Sequence, residues 1–470
     1  WAPLGPFWLG WAAMLAGAVV IIVQAPRCRA LPPGHWWRSS GLYQLALPGP
    51  APGAAAPGAG GAPTPGPAAG GGLGGLVRTV EDISGLKMKG MVIGPLHRNP
   101  PDHLEGTRLT EINPELGDHQ QLQRVLEAAK RKGVKVILDL TPNYNGVEKG
   151  PWFGIDFNQE TPDRVSLKEK EAFGFWLDQG IDGLRLGGID HVMNSSMAVL
   201  SEWINLVNNY STGDKPRVLI GAVTDPNPDP GYIRSLLERS NLDMLFSYYL
   251  RSVGNLTAPR GLKLRSLIDD FMLSANHSWA SWAVGGRETG HLASLVPENL
   301  QRLFHVLLFT LPGTPFTYYG DEIGLKDIEE GGIINKAPPI QRESPAGDNG
   351  EGVKISVEDQ KVSKTSMYNL FKALSSLRSK ERSLMFGDFE SLLSEGDVYV
   401  YRRLWDQSMR FLVLLNLGEQ ETEVRLSRPD LPSTATVELS TTQRADTQLS
   451  LASLKLGAGE GLLLRYPYTA

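Results

Sequence analysis

The sequence predicts an α/β chain with one transmembrane helix, then a (β/α)8 TIM barrel, then a C-terminal antiparallel β-sandwich. Three observations predict it. An uncharged run of 20 residues, LGPFWLGWAAMLAGAVVIIV, covers residues 4–23. From Val77 to about Ser383 short apolar runs alternate with helical patterns. Beyond that point short strands follow one another without helices. Alternating strands and helices imply a parallel sheet with right-handed crossovers, and a long series of such units fits a closed barrel better than an open sheet.

Residues 1–3 are expected to be the truncated end of a cytosolic tail. At 1.5 Å per residue the run 4–23 reaches roughly 30 Å, the hydrocarbon thickness of a bilayer. Its length argues against a buried core helix, and the large Val, Ile and Gln that close it argue against a cleaved signal peptide. Ala12/Ala16 and Ala13/Gly17 are small-residue pairs that let a second helix approach. Residues 24–35, with Pro26, Pro32 and Pro33, read as an extended neck. The barrel is expected over 36–383. Trp36 to Leu45 reads as its first strand, and 46–75, almost entirely Gly, Pro and Ala, as a flexible loop. Gly90–Gly94 is the next strand. Helix Leu122–Lys132 leads to strand Val134–Asp139, and helix Lys168–Gln179 to strand Gly183–Leu186. Helix Met197–Asn208 leads to Arg217–Gly221, and Tyr232–Ser240 to Leu242–Tyr248. After helix Met367–Arg382 the β-domain, 384–470, carries strands Val398–Trp405, Arg410–Leu417, Thr422–Ser427, Ala435–Ser440 and Gly461–Tyr466.

Charged residues make up 21% of the chain and the net charge is -5, so no basic surface argues for nucleic acid. Neither a cofactor nor a metal is expected. Arg27 and Arg29 follow the apolar run, and the positive-inside rule alone would place them in the cytosol. The sequons Asn194-Ser-Ser, Asn209-Tyr-Ser, Asn255-Leu-Thr and Asn276-His-Ser favour an extracellular bulk. The single cysteine, Cys28, lies just past the run. In an oxidising compartment such a cysteine bonds another chain or stays a free thiol, and facing the cytosol it is a palmitoylation candidate.

Four stretches, in order, carry a family pattern. Trp36-Trp37 with Tyr43 opens the barrel. Ile112-Asn113-Pro114 with Gly117 comes next, followed by the run from Ile137 to Asn143. The run from Leu311 to Gly324, LPGTPFTYYGDEIG, is the strongest. Together they resemble the α-amylase superfamily. Retaining glycosidases need two carboxyl groups about 5 Å apart, one to attack carbon and one to protonate the leaving oxygen. The segment Asp182-Gly183-Leu184-Arg185-Leu186-Gly187 resembles the nucleophile strand, but the nucleophile position is Gly187. The general-acid position, after Gly221, is Ala222. The third acid is expected at Ser278, in Asn276-His277-Ser278. The histidine of the third-strand motif is Tyr144. Asp190 and Asp225 lie three residues past Gly187 and Ala222, on the other face or in the loop. Asp139, Arg185, His191 and His277 then read as packing or polar-network residues. The stretch from Asn143 to Leu167 is too short for the domain that many sugar-cleaving relatives insert there.

One span, one neck cysteine and a barrel without its acids resemble the heavy subunits of heteromeric amino-acid transporters, of the 4F2 cell-surface-antigen type. Ala25-Pro26-Arg27-Cys28-Arg29 is similar to the neck of that type. The resemblance implies a non-catalytic ancillary subunit. It would be disulfide-linked through Cys28 to a multi-span light chain, pack its transmembrane helix against that chain within the membrane lipid, and promote its surface trafficking and stability. It also implies a single-pass type II protein of the plasma membrane, glycosylated outside, with integrin as a further partner. Two other readings stay open: a membrane-anchored α-glucosidase, and a non-catalytic adhesion or sugar-binding ectodomain.

Overall fold

The computed structural model describes residues 4–24, 28–32, 35–47, 72–157, 163–225, 229–255, 257–274, 279–342 and 356–469. The chain forms two compact units, Trp1–Pro33 and Gly34–Ala470. The first holds α1 (Leu4–Gln24), 21 residues without an acidic residue in its first turn or a basic one in its last. Large apolar side chains stand exposed along it, among them Trp8 at 65% and Met14 at 65%. A helix therefore fills the segment expected to span a membrane. Side chains are described only over 8–20 of it, and among the described residues no helix is long and apolar enough to cross a membrane.

The second unit is built on eight short strands. These are β1 (Leu42–Gln44), β2 (Gly90–Ile93), β3 (Lys135–Asp139), β4 (Gly183–Gly187), β5 (Val218–Ala222), β6 (Met244–Phe246), β7 (Ser281–Trp282) and β8 (Thr314–Tyr318). They pair in parallel in the order β6-β5-β4-β3-β2-β1-β8-β7. Typical registers are Leu42 opposite both Gly90 and Phe316, and Gly187 opposite Ala222. The remaining seam, β6 to β7, is bridged by the Ser281 hydroxyl donating to the Leu245 carbonyl at 2.6 Å. The sheet is thus a nearly closed barrel.

Alternation along each strand sorts the side chains. Leu42, Val92, Ile137, Ile220, Phe246 and Phe316 point inward and fill the barrel. Their neighbours Tyr43, Met91, Val136, Leu138, Leu184, Leu219 and Leu245 point outward into the core beneath the helices. Those helices include α2 (Leu76–Gly85), α3 (His119–Lys132), α4 (Asp163–Asp178), α5 (Met197–Asn209), α6 (Pro230–Arg239), α7 (Arg260–Ser274), α8 (Gln301–Thr310) and α9 (Met367–Lys380). Sequence chemistry sets the ends of α3. Asp118 accepts from the Gln121 amide at 2.8 Å while the Gln121 side chain accepts from the Asp118 amide, a reciprocal cap. Gly133 closes the helix at φ 68°, and Leu122, Val125, Ala128 and Ala129 form its buried stripe.

Two expectations change here. Trp36 to Arg38 is a 3-10 turn, and the first strand is only Leu42–Gln44. Trp37 belongs to the cluster inside the barrel and the Trp36 indole donates to the Pro216 carbonyl, so both rings serve the bottom of the barrel instead of a ladder. Of the 46–75 loop, residues 48–71 lie outside the described set. Its last residues are fixed. Gly72 to Gly75 form a 3-10 turn with Leu73 buried, and a Cβ on Gly72 (φ 64°) would stand 2.2 Å from the Leu116 carbonyl oxygen.

The C-terminal sheet orders β9 (Asp388–Glu395), β10 (Val398–Leu404), β11 (Arg410–Asn416), β16 (Gly461–Tyr466), β13 (Thr434–Ser440) and β14 (Gln448–Ser450), all antiparallel. A two-stranded ribbon, β12 (Thr422–Val424) with β15 (Leu454–Leu456), forms the second layer. Val398, Val400, Leu412, Leu414, Leu462 and Leu464 share a core with Val424, Leu454 and Leu456 of the ribbon. The intervening residues Tyr399, Tyr401, Phe411, Val413 and Leu463 belong to the barrel's main core.

His305 of α8, 1% exposed, lies in that core with its ring 5.6 Å from Phe371 of α9. Burial, and then the charge of Arg302, lower its pKa to about 4. Between that value and 6.5 the unfolded chain is protonated there and the native one is not, so stability falls as pH drops through this window. His305→Phe removes the term. Urea unfolding from pH 7.5 to 4 should show the variant gaining about 3 kcal/mol over the wild type as pH falls. A constant difference across that range would exclude a buried neutral imidazole.

Candidate functional site

Side chains at the C-terminal ends of barrel strands form the working face of this fold. The inward positions there are Asp139 on β3, Arg185 and Gly187 on β4, and Ala222 on β5. Arg185, 2% exposed, makes an ion pair with Asp139 and donates to Glu288 Oε1 at 2.8 Å. Its guanidinium lies over the Phe246 ring, 5.3 Å from the centroid. The Tyr248 hydroxyl donates to the other Glu288 oxygen. One cation therefore sits between two carboxylates. The Glu288 side chain is 45% exposed. Partial burial would raise its pKa, but Arg185, the Tyr248 hydroxyl and Arg287 outweigh that and hold it at about 2. It is an anion throughout the physiological range and has no proton to give to a leaving group.

The Gly187 turn is held by a neighbour. Thr141 Oγ1 donates to Asp139 Oδ1 at 2.6 Å and accepts from the Gly187 amide at 2.7 Å. A Cβ on Gly187 would lie 2.9 Å from Thr141 Oγ1 and 3.2 Å from its Cγ2. The Trp152 indole clasps the same turn through the carbonyls of Gly187 and Gly188, both at 2.9 Å. Gly188 itself is at φ 63°. Ala222 is buried in the cluster that holds Phe246 and Tyr248, whose rings are 4.8 Å apart. Aromatic side chains therefore pack in the same cluster as Ala222. Gly187→Asp with Ala222→Glu is accordingly expected to give no turnover of a chromogenic α-glucoside, and to lower stability by about 1–3 kcal/mol through overpacking. Hydrolysis above the wild-type background by the purified variant would contradict this.

The other residues singled out in the sequence scatter. Asp190 accepts from the Thr224 amide and hydroxyl, both at 3.1 Å, and anchors a loop. His191 bonds the Ile155 carbonyl at 2.6 Å. Tyr144 donates to the His97 carbonyl, and Arg287 lies 5.1 Å over its ring. Asn276, His277 and Ser278 lie outside the described residues, and in the chain they precede β7 instead of following it. The acid that follows β7 is Glu288, in the run Gly285-Gly286-Arg287-Glu288. The sequence reading missed it, together with Tyr248 and Thr141. Cys28 is an exposed free thiol. Asn194 and Asn209 are exposed, and the Asn194 amide donates to the Tyr232 hydroxyl at 3.0 Å. The side chain of Asn255 lies outside the described residues.

Two family profiles match the chain. Solute carrier family 3 member 2 N-terminus covers residues 1–43, and the alpha amylase catalytic domain covers 51–164 and 154–349. The amino acid transporter heavy chain SLC3A2 of Oryctolagus cuniculus is 39% identical over 479 residues, spanning 100% of this chain and 84% of that protein. The chain belongs to the SLC3A2 family of amino acid transporter heavy chains. The Mus musculus SLC3A2 heavy chain is 38% identical over 484 residues, with 100% and 86% covered. Among solved structures, the trehalulose synthase MutB from Pseudomonas mesoacidophila MX-45 superposes with a TM-score of 0.67 at 17% identity, covering 92% of this chain and 100% of that one. At that identity the likeness shows the shared amylase-like fold. In this SLC3A2-family chain Arg185 and Glu288 are tied to each other at the mouth of the barrel.

Proposed function

We propose that the chain is the non-catalytic heavy subunit of a heteromeric amino-acid transporter, and that Cys28 bonds it to a multi-span light chain. The observation that carries this reading is the conjunction of similarity to a transporter heavy chain over the whole of this chain with a mouth in which Thr141 abuts Gly187 and Phe246 and Tyr248 pack with Ala222. Glu288, and not Ser278, takes the place of the third acid, because it leaves β7 on the mouth side and reaches Arg185. The nucleophile and general acid have no counterpart at Gly187 and Ala222.

The helix α1 is the membrane span in this reading. At 1.5 Å per residue its 21 residues reach about 31 Å. Its exposed apolar side chains ask for lipid or a partner helix. Unit 2 faces the extracellular side of the plasma membrane, with Asn194, Asn209, Asn255 and Asn276 as glycan acceptors. The subunit's work is to bring the light chain to the surface and stabilise it there. The test is non-reducing electrophoresis of membranes from cells expressing the wild type or Cys28→Ser. The wild type should run as a larger species that collapses on reduction, and the variant should run as a single chain. A Cys28→Ser chain that keeps the larger species would reject the assignment of the bond. Turnover of an α-glucoside by the purified wild type would reject the non-catalytic reading.

A further inference from the structure

The turn after β8 carries three carboxyl groups into the core. Asp321 is 2% exposed, Glu322 is 5% exposed and the Asp327 side chain is 9% exposed. Asp321 accepts from the Tyr318 and Leu292 amides, both at 3.0 Å, which ties β8 to the segment that follows Glu288. Asp327 faces the His291 ring at 2.6 Å, and His291 also stands close to Asp321. Glu322 has a different setting. It accepts from the Tyr43 hydroxyl of β1 at 3.0 Å and from the Gly320 amide at 2.9 Å. Among the described residues no cation pairs with it. A buried carboxylate without a counter-charge is costly, and a neighbouring carboxylate adds to the cost. Burial, helped by Asp321, pushes the Glu322 pKa up to about 7 against the pull of its donors.

Glu322 also borders a cavity of about 40 Å³ on the outer side of the barrel wall. The cavity lies between β1, α2, α9, the turn after β8 and the segment 340–342. The titratable and charged groups that face it are few. β1 contributes Tyr43, α2 Asp82, α9 Tyr368, and the turn Tyr319 beside Glu322. The segment 340–342 contributes Arg342, which is held by Asp82 at 2.6 Å. Asp321 adjoins Glu322 within the turn, and Glu358 and Lys361 lie beyond Tyr368. One water needs roughly 10–15 Å³, so the space can hydrate an ionised carboxylate. We propose that Glu322 is a proton-operated latch: with the proton on, β1, the turn and α2 close together, and on proton loss water enters the cavity and loosens α2 from the barrel. The native chain holds this proton more tightly than the unfolded one. The stability it contributes is complete below 4.5 and is lost as pH rises through 7. That sign is opposite to the one at His305.

Amide hydrogen exchange of the purified full chain at pH 5.5 and pH 8, corrected for the intrinsic pH dependence of exchange, tests the latch. Protection in α2 and in residues 319–323 should fall by about tenfold or more over that range, while β3 to β5 keep theirs. Difference infrared spectra of the wild type should lose a protonated-carboxyl band over the same interval. Glu322→Gln keeps the size of the side chain and removes its proton equilibrium, so protection in α2 should be equal at the two pH values. Tyr43→Phe removes a donor that favours the carboxylate, and the loss of protection should move to higher pH. No loss of protection in the wild type, an equal loss in β3 to β5, or no protonated-carboxyl band would each overturn the proposal without recourse to a variant. So would an unchanged response in a folded Glu322→Gln chain, or a folded Tyr43→Phe chain whose transition stays in place or moves to lower pH.

Discussion

Arg185→Leu is expected to cost about 3–5 kcal/mol of stability, because it leaves the buried Asp139 carboxylate without its counter-charge. Asp139 is 2% exposed, and its remaining described donors are the amide and hydroxyl of Thr141. Glu288 would lose its ion pair as well. Its carboxyl, held at about 2, binds fewer protons in the native chain than in the unfolded one between that value and 4.5. The stability it contributes is present above 4.5 and is lost as pH falls through the window. Arg185→Leu should flatten that part of the profile. Arg185→Lys should recover only part of the loss, since a single ammonium cannot reach both carboxylates with the fork of a guanidinium. Removing both charges, Arg185→Leu with Asp139→Leu, should recover more than Arg185→Lys does. Urea unfolding of the four chains at pH 7 checks the order. A single-variant loss below about 1 kcal/mol, the range of an exposed pair, would mean that the network is not buried as described.

Arg403→Leu is the second large effect. The side chain joins β10 to the end of α8 through Thr310, and to the chain entering β9 through Leu384 and Gly387. Leucine leaves those carbonyls in an apolar seam without donors. The expected loss is about 3 kcal/mol, at the level of leaving buried acceptors unsatisfied. The damage should also be local. Amide hydrogen exchange should rise in β9, β10 and the last turn of α8 well before it rises in β3 to β5. Uniform acceleration across the barrel would show that the seam is not a separate point of weakness.

The barrel was legible because its strands are short apolar runs between helical patterns; β2, β3 and β6 fall inside the runs read from the sequence, and β4 and β5 each extend one residue beyond theirs, to Gly187 and Ala222. The first strand was read too long because Trp36 and Trp37 look like strand residues, while their rings are placed by the bottom of the barrel. In the C-terminal sheet β9, Asp388–Glu395, escaped notice. Its side chains are half-buried and its sequence DFESLLSE carries no clean alternation. In the reading proposed above, the vacated nucleophile and general-acid positions could be read from Gly187 and Ala222, which sit at fixed offsets in their motifs. The third position could not. Asn276-His277-Ser278 matches the expected string, whereas Glu288 comes to the mouth only by meeting a side chain 103 residues earlier in the chain. Nor does a sequence say that the Thr141 hydroxyl meets the Gly187 amide.

The six-stranded sheet has one more consequence. Tyr399, Tyr401 and Leu463 seal the flank of the barrel while Val398, Val400 and Leu464 seal the sheet's own ribbon. Such a module cannot be trimmed away. A product ending at residue 383 would bare a greasy wall along α7 and α8, and a transplanted tail would have to match that wall residue for residue. Gene fusions and splice variants are free to lengthen the hairpins of this half of the molecule, but not to exchange it.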